Sequence, residues 1–348
     1  MNAIRITEFV SSLVSLASQC VPFPAEPAKG EVLVAIHCAA LNHVDLLYAQ
    51  GKHQNNTSLI RPPFTLGLEF AGTVVAVGPL SSAGDASFKP GDRVFGAGLG
   101  AYAEQILVPT RALRRIPDSW TFEAAAGLAA TANVAYGAVA IRAGVKNGDW
   151  VMIHGAAGGI GLYACQVAKA LGARVIAGIR DEKDSDKVQI LRSLGCVDGI
   201  VATGTTPGWE AQVKTITGGR GVDVVIDNVG LVKESIRCLK NVGGKVVLVG
   251  FAGRGGVMEQ IPANRILLKQ AVVIGYRYGE TDRNHPQESA QVWKGLMEML
   301  DSGAVKPVVY TKKYYGLESV RVAMEDLQAR KIYGKAIIYI QDRRTSSL

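Results

Sequence analysis

Asp149-Trp150-Val151-Met152-Ile153-His154-Gly155-Ala156-Ala157-Gly158-Gly159-Ile160-Gly161 runs from an apolar β-type segment through a glycine turn into the helical stretch Leu162 to Leu171. With no side chain at Gly158 the backbone can approach a pyrophosphate. Gly161 lets the helix pack closely on the strand, and the new helix offers free N–H groups and its positive dipole end to an anion. Ala156 stands where the first glycine of G-x-G-x-x-G falls, so the turn reads A-x-G-G-x-G. A tight turn in an ordinary α/β sheet is the competing reading, and the surrounding sequence weighs against it.

Further apolar β-type runs follow at Val175 to Ile179, Val222 to Ile226, Lys245 to Val249 and Val272 to Ile274, separated by helical stretches. Strands alternating with helices predict βαβ units and a doubly wound parallel sheet of the Rossmann kind. At the end of the second run an NAD site usually carries an Asp or Glu for the ribose hydroxyls. Here Ile179 stands near that position, and Arg180, Lys183 and Lys187 follow it. Cations able to pair with a 2′-phosphate, and no carboxylate to repel it, favour NADPH over NADH. The alternative is a solvated helix start, because Asp181, Glu182, Asp184 and Asp186 are interspersed.

The first third of the chain is mostly β-type: Glu31 to Ile36, Ala71 to Gly78 and Asp92 to Phe95 are separated by turns rich in proline and glycine. Phe9 to Ala17 reads as a strand pair. Ala/Gly-rich helical sequence from Phe122 to Ala143 joins the two regions, and the tail returns to a helix (Glu288 to Leu300) and a last strand (Lys335 to Ile340). No repeat of 20 to 50 residues, the span typical of repeat units, interrupts this order.

A chain of 348 residues, 48% hydrophobic and 20% charged, is long enough for two domains. Its net charge of +8 favours anionic ligands, but no basic run with interleaved aromatics points to nucleic acid. The five cysteines (Cys20, Cys38, Cys165, Cys196 and Cys238) are odd in number and contain no C-x-x-C pair. That pattern implies reduced thiols in an intracellular compartment. No apolar run approaches the length of a membrane span, and Ser346-Ser347-Leu348 lacks the basic middle residue of a peroxisomal signal. The expectation is a cytoplasmic protein with no membrane contact.

With these residues in hand the chain resembles the medium-chain dehydrogenase/reductase superfamily, and within it the zinc-free quinone oxidoreductase branch related to zeta-crystallin. The resemblance rests on Gly30-Glu31-Val32-Leu33-Val34, Leu41-Asn42-His43-Val44-Asp45, Pro63 to Gly72, Lys89-Pro90-Gly91-Asp92-Arg93-Val94, the Ala156 to Gly161 turn, Val222 to Gly230 and Gly334-Lys335-Ala336. It implies an α/β protein with two domains and an active site in the cleft between them. One is a GroES-like β-rich catalytic domain over residues 1–122, completed by 277–348; the other is a Rossmann domain over 123–276. It also implies a homodimer built through the last Rossmann strand, where Val272, Val273 and Ile274 give the edge an apolar character.

Zinc-dependent relatives place a catalytic Cys at Asn42 and a His at Leu68, and carry a four-cysteine lobe after Gly91 to Val94; these ligands are missing. No zinc is therefore expected, and His37, Cys38 and His43 fit no zinc spacing. Without a Lewis acid the hydride acceptor must already be electron-poor, such as a quinone or an activated C=C (enone). By the family's Asn-x-x-Asp motif, Asn42 is the polar contact beside the nicotinamide and Asp45 its orienting partner, or else the two simply cap a short helix. The family's Gln-Gly-x-Tyr proton donor reads Gln50-Gly51-Lys52-His53 here, making His53 either a donor or an exposed loop histidine.

Cofactor contacts carried over by motif are Asn42, Ala156, Ala157, Gly158, Gly159, Ile160, Gly161, Asn228, Gly250, Phe251, Arg330 and Lys335, besides Arg180, Lys183 and Lys187. Departures from the family are Leu47 followed by Tyr48, Val134-Ala135-Tyr136 for Thr-Ala-Tyr, and Ala202 for a Tyr near the adenosine. Tyr276, Arg277 and Tyr278 either reach the active site or subunit interface or serve packing. The function implied is an NADPH-dependent, zinc-independent reductase of a quinone or enone. Two other readings stay open: an enoyl-thioester reductase of fatty-acid or polyketide type, and a non-catalytic NADPH-binding protein, crystallin-like or RNA-binding.

Overall fold

The computed structural model describes residues 1–79, 88–253 and 259–341. The C-terminal Ser346-Ser347-Leu348 lies outside them. The chain divides into two compact units, Met1–Ala130 with Pro307–Leu348, and Thr131–Lys306.

In the first unit a seven-stranded sheet runs in the order Tyr314–Tyr315, Ile337–Tyr339, Glu31–Ala40, Glu69–Val77, Arg93–Ala97, Leu113–Arg115, with Gln105–Pro109 also paired to Glu31–Ala40. The C-terminal strand thus completes a sheet begun at residue 31, pairing Ile337 antiparallel with Ala40. A second, three-stranded sheet is made of Ser18–Cys20, Asn2–Ile6 and Phe64–Thr65. Val32, Val34, Ile36, Phe70, Val94, Tyr102 and Met324 lie in the core of this unit. Phe9 to Ala17 is not a strand pair: the strands flank it, and Leu13–Ser15 forms a 3-10 turn.

The second unit is a six-stranded, wholly parallel sheet ordered Gly199–Ala202, Arg174–Ile179, Trp150–His154, Val224–Asp227, Lys245–Leu248, Val272–Gly275. The first and fourth of these strands along the chain lie side by side, which creates the switch point where open α/β sheets bind ligands. Met152, Ile176, Val225 and Val246 are fully buried, as strands covered on both faces require. The helical sequence from Phe122 is not continuous: Phe122–Ala126 and Ala132–Tyr136 are separate helices, and Gly137–Arg142 adds a π-helical turn.

The unit boundaries fall at 130/131 and 306/307, displaced from the 122/123 and 276/277 expected from sequence. Residues 277–306 stay with the parallel sheet for physical reasons. The Tyr136 ring lies against helix Pro286–Asp301, where a Cβ on Gly295 would fall 1.9 Å from its hydroxyl. Arg142 pairs with Glu288 at 2.7 Å. Gln166 closes the segment, donating to the Lys306 carbonyl at 3.1 Å and accepting from its N–H at 2.8 Å.

Candidate functional site

In the second unit the glycine turn sits at the switch point. Gly155 has φ +58°, and a Cβ there would lie 2.6 Å from Asn228 Oδ1. Gly161 is tighter still, since its Cβ would meet the Gly155 carbonyl at 2.2 Å and Ala156 Cα at 2.6 Å. Ala156 and Ala157 are buried, and the Ala156 N–H donates to the Gly178 carbonyl at 3.0 Å, tying the turn to the second strand. Gly158 caps the twelve-residue helix Gly159–Ala170, whose first N–H groups, from Gly159, Ile160 and Gly161, have no carbonyl earlier in the helix to bond. This bare, N–H-lined turn fits a dinucleotide pyrophosphate.

Asn228 follows Asp227, a fully buried residue the sequence reading assigns no role. The Asp227 carboxylate accepts N–H bonds from Val229, Gly230 and Leu231 at 2.9, 2.8 and 2.7 Å, fixing the loop beside the turn. Gly250 packs at the same sheet end, where a Cβ would lie 3.5 Å from the Asn228 carbonyl, and the half-buried Phe251 comes next.

Arg180 is exposed at the end of the second strand, and Gly204 passes so close that a Cβ there would meet Arg180 Cγ at 2.6 Å. Neither Arg180 nor Lys183 has an ion-pair partner among the described residues. Glu182 is turned back, accepting the Ala202 N–H at 3.2 Å. Lys187 is different: its ammonium is held by Asp184 at 2.6 Å, as the helix-start reading has it.

In the first unit, helix His43–Ala49 begins at Asn42, and Asp45 Oδ2 accepts the Asn42 N–H at 2.9 Å. The capping role is therefore real. It is also part of a larger buried network. Tyr102 donates its hydroxyl to Asp45 Oδ2 at 2.6 Å. Lys335 donates to Asn42 Oδ1 at 2.7 Å, to the Leu41 carbonyl at 2.9 Å and to Glu69 Oε1 at 2.7 Å. Burial pushes the Asp45 carboxyl up to about 7, although the Tyr102 hydroxyl, the Asn42 N–H and the Lys335 charge oppose it. Burial, reinforced by the Asp45 charge, holds the Tyr102 phenol well above its ordinary range. Tyr102 and Glu69 were not singled out from sequence; a Glu in the quoted Pro63 to Gly72 segment was the available signal for Glu69, and nothing marked Tyr102.

His53 caps the short turn Gln54–Thr57, with Nδ1 accepting the Asn55 N–H at 3.0 Å, so the neutral ring carries its proton on Nε2. It lies edge-on to Tyr48, with 4.8 Å between ring centroids. Arg330 is exposed with φ +61° just after helix Ser319–Gln328, and its charge, after burial, lowers the pKa of His43. His37 stacks on Phe122, and Cys38 lies on strand Glu31–Ala40. Among the described residues no group of three or more His, Cys, Asp or Glu could hold a metal ion. Tyr276 is buried beside Arg142, 5.3 Å from guanidinium carbon to ring centroid, while Tyr278 bonds Ser289 at 2.7 Å; these contacts lie inside the second unit.

These sites sit on segments with clear relatives. Residues 28–118 match the family described as the alcohol dehydrogenase GroES-like domain, and residues 159–301 the family described as zinc-binding dehydrogenase. The chain is 30% identical to a quinone oxidoreductase of Homo sapiens, covering 94% of each chain. It is 33% identical to a quinone oxidoreductase-like protein 2 homolog of Nematostella vectensis, over 88% of this chain and 81% of that one. An Escherichia coli quinone oxidoreductase solved in complex with NADPH superimposes with a TM-score of 0.83 at 27% identity, over 97% of this chain and 100% of the other. The protein belongs to the medium-chain dehydrogenase/reductase superfamily, in its quinone oxidoreductase-like family of NAD(P)H-dependent oxidoreductases.

Proposed function

We propose that the protein is an NADPH-dependent, zinc-independent reductase that delivers hydride to a quinone or an activated C=C bond. The observation that carries the cofactor choice is the end of the second parallel strand: the Arg180 and Lys183 side chains have no ion-pair partner among the described residues, while Glu182 is occupied by the Ala202 N–H. A 2′-phosphate would meet two cations there, with Glu182 turned away and the Asp181 carboxylate accepting the Lys183 N–H at 3.0 Å. The complexed Escherichia coli relative supports the same choice.

NADPH, when bound, supplies the hydride. The chain's own part is to bind and orient. The turn at Ala156, Ala157, Gly158, Gly159, Ile160 and Gly161 offers N–H groups to the pyrophosphate, with Asn228, Gly250 and Phe251 beside it. Asn42 is the polar contact to the nicotinamide, held by Asp45. Where zinc-dependent relatives carry a Cys and a His, Asn42 and Leu68 provide neither thiolate nor imidazole, so an acceptor already poor in electrons suits the site. His53 is the proposed donor should the acceptor need one, acting from its imidazolium form. The protein is proposed to work in the cytoplasm, as its five unpaired thiols suggest. It is also proposed to act as a homodimer.

The cofactor claim is tested by titrating the Arg180→Ala/Lys183→Ala variant. Two charge-assisted contacts, each about 1.5–3 kcal/mol, predict an NADPH Kd at least roughly a hundredfold weaker, with the NADH Kd unchanged. Equal effects on both cofactors would contradict it.

A further inference from the structure

We infer that Lys335 is a positioning residue for Asn42, with Glu69 as its fixed counter-ion, and not a direct contact to the cofactor. The inference rests on the placement of Asn42 beside the nicotinamide proposed above, and goes beyond it by assigning the group that aims the amide.

A primary ammonium has three N–H donors. In Lys335 they meet the Leu41 carbonyl at 2.9 Å, Asn42 Oδ1 at 2.7 Å and Glu69 Oε1 at 2.7 Å. The side chains of Lys335 and Glu69 are only 3% and 0% exposed. The stem is seated as firmly as the head: a Cβ on Gly127 would fall 2.8 Å from Lys335 Cγ. The Lys335 backbone donates to Val308 at 2.9 Å and accepts from Tyr310 at 2.8 Å. To reach a phosphate the ammonium would have to leave a buried carboxylate behind, a costly exchange.

Asn42 feels the consequence. Its amide oxygen faces the ammonium and its nitrogen turns away, toward the Ala40 carbonyl at 3.3 Å. A flipped amide would set an NH2 group against a cation, so only one orientation survives. Positive charge on the oxygen also draws electron density through the amide and strengthens its N–H groups as donors. The Glu69–Lys335 pair thereby fixes which end of the Asn42 amide is the acceptor, bound to Lys335, and which is the hydrogen-bond donor.

The test compares wild type with Lys335→Met/Glu69→Gln, a neutral pair of similar shape that strands no charge, with Asn42→Ala, and with the combined triple variant. NADPH binding is followed by fluorescence at two ionic strengths, recording both the Kd and the emission of the bound nicotinamide, and turnover is then measured. A positioning role predicts that the double variant and Asn42→Ala alter the bound emission alike and lower kcat roughly tenfold or more, about 1.4 kcal/mol. The double variant should shift the NADPH Kd no more than Asn42→Ala does, and the triple variant should fall no further than Asn42→Ala, as residues acting as one unit do. A weakened NADPH Kd with a shallower salt dependence and an intact kcat would identify a phosphate contact and overturn the inference. Additive losses in the triple variant would overturn it as well. Should the double variant not fold, Lys335→Arg, whose planar fork cannot meet the same three oxygens, carries the same readout. If wild type binds NADPH but reduces no acceptor, the proposed function falls and the emission comparison still decides the role of Lys335. A wild type that does not bind NADPH would overturn both.

Discussion

At Asp45 burial and hydrogen bonding pull in opposite directions, and burial prevails, setting the folded carboxyl at about 7 against an ordinary 3.8. Its Oδ2 takes the Tyr102 hydroxyl and the Asn42 N–H, while Oδ1 has no hydrogen-bond partner among the described residues. Between those two pH values the unfolded chain has released a proton that the folded one keeps, so the fold loses stability as pH rises from about 4 to about 7. Asp45→Asn, a permanently neutral isostere, should remove this contribution, at most about 1.4 kcal/mol per pH unit. Denaturant unfolding of both proteins across that window checks it, and identical pH profiles would contradict it. Asn42 and Asp45 were legible in the sequence through the resemblance's Asn-x-x-Asp motif, and as a candidate cap because a cap and its N3 partner are three residues apart. The employment of Lys335 was not, because its oxygen partners lie 266 to 294 residues away in the chain. A motif match can name such a lysine; only the fold shows where its protons go.

Among the elements, the strand–turn–helix around Gly155 was the most legible, since an apolar run, a glycine turn and a helix admit few arrangements. Its two key glycines serve different ends. A methyl at Gly161 would collide with backbone at 2.2 and 2.6 Å, whereas at Gly158 the nearest atom is the Gly155 carbonyl at 3.2 Å. Gly161→Ala should therefore destabilise the fold by about 1–3 kcal/mol, as overpacking does. Gly158→Ala, whose methyl asks the Gly155 carbonyl to give by only a few tenths of an ångström, should cost less stability than Gly161→Ala and weaken NADPH binding, because the methyl occupies the approach to the pyrophosphate. Thermal unfolding and cofactor titration of both variants separate the two roles, and equal destabilisation would refute the distinction. Elsewhere short-range signals ran out. Gly199–Ala202 was not read as a strand because four residues at a sheet edge, only two of them buried, give little periodicity. The stretch from Phe122 to Ala143 was read as helical sequence without its breaks because alanine suits a helix anywhere, and propensity alone does not reveal where tertiary packing breaks it.

Over the whole molecule, the alternation of strands and helices announced the parallel sheet, and the β-rich start announced the other unit. The boundaries were off because helix Pro286–Asp301 is held to the second unit by side chains, Tyr136 and Arg142, whose partners no local pattern reveals. The sheet ends at Val272–Gly275, with Val272 45% exposed and Leu267 and Leu268 on the preceding helix about three-quarters exposed. An apolar edge of this kind suits pairing with a second copy about a two-fold axis. Light scattering should give twice the chain mass, and Val272→Lys should shift it toward the monomer; a monomeric wild type would refute the dimer. The central claim, a reductase using NADPH without zinc, is tested most directly by mixing metal-free protein and NADPH with a quinone, an enone and an enoyl thioester in parallel and following NADPH oxidation. Turnover should persist in chelator, with the quinone or the enone fastest. Binding of NADPH with no oxidation by any acceptor, or activity that chelation abolishes and zinc restores, would contradict it.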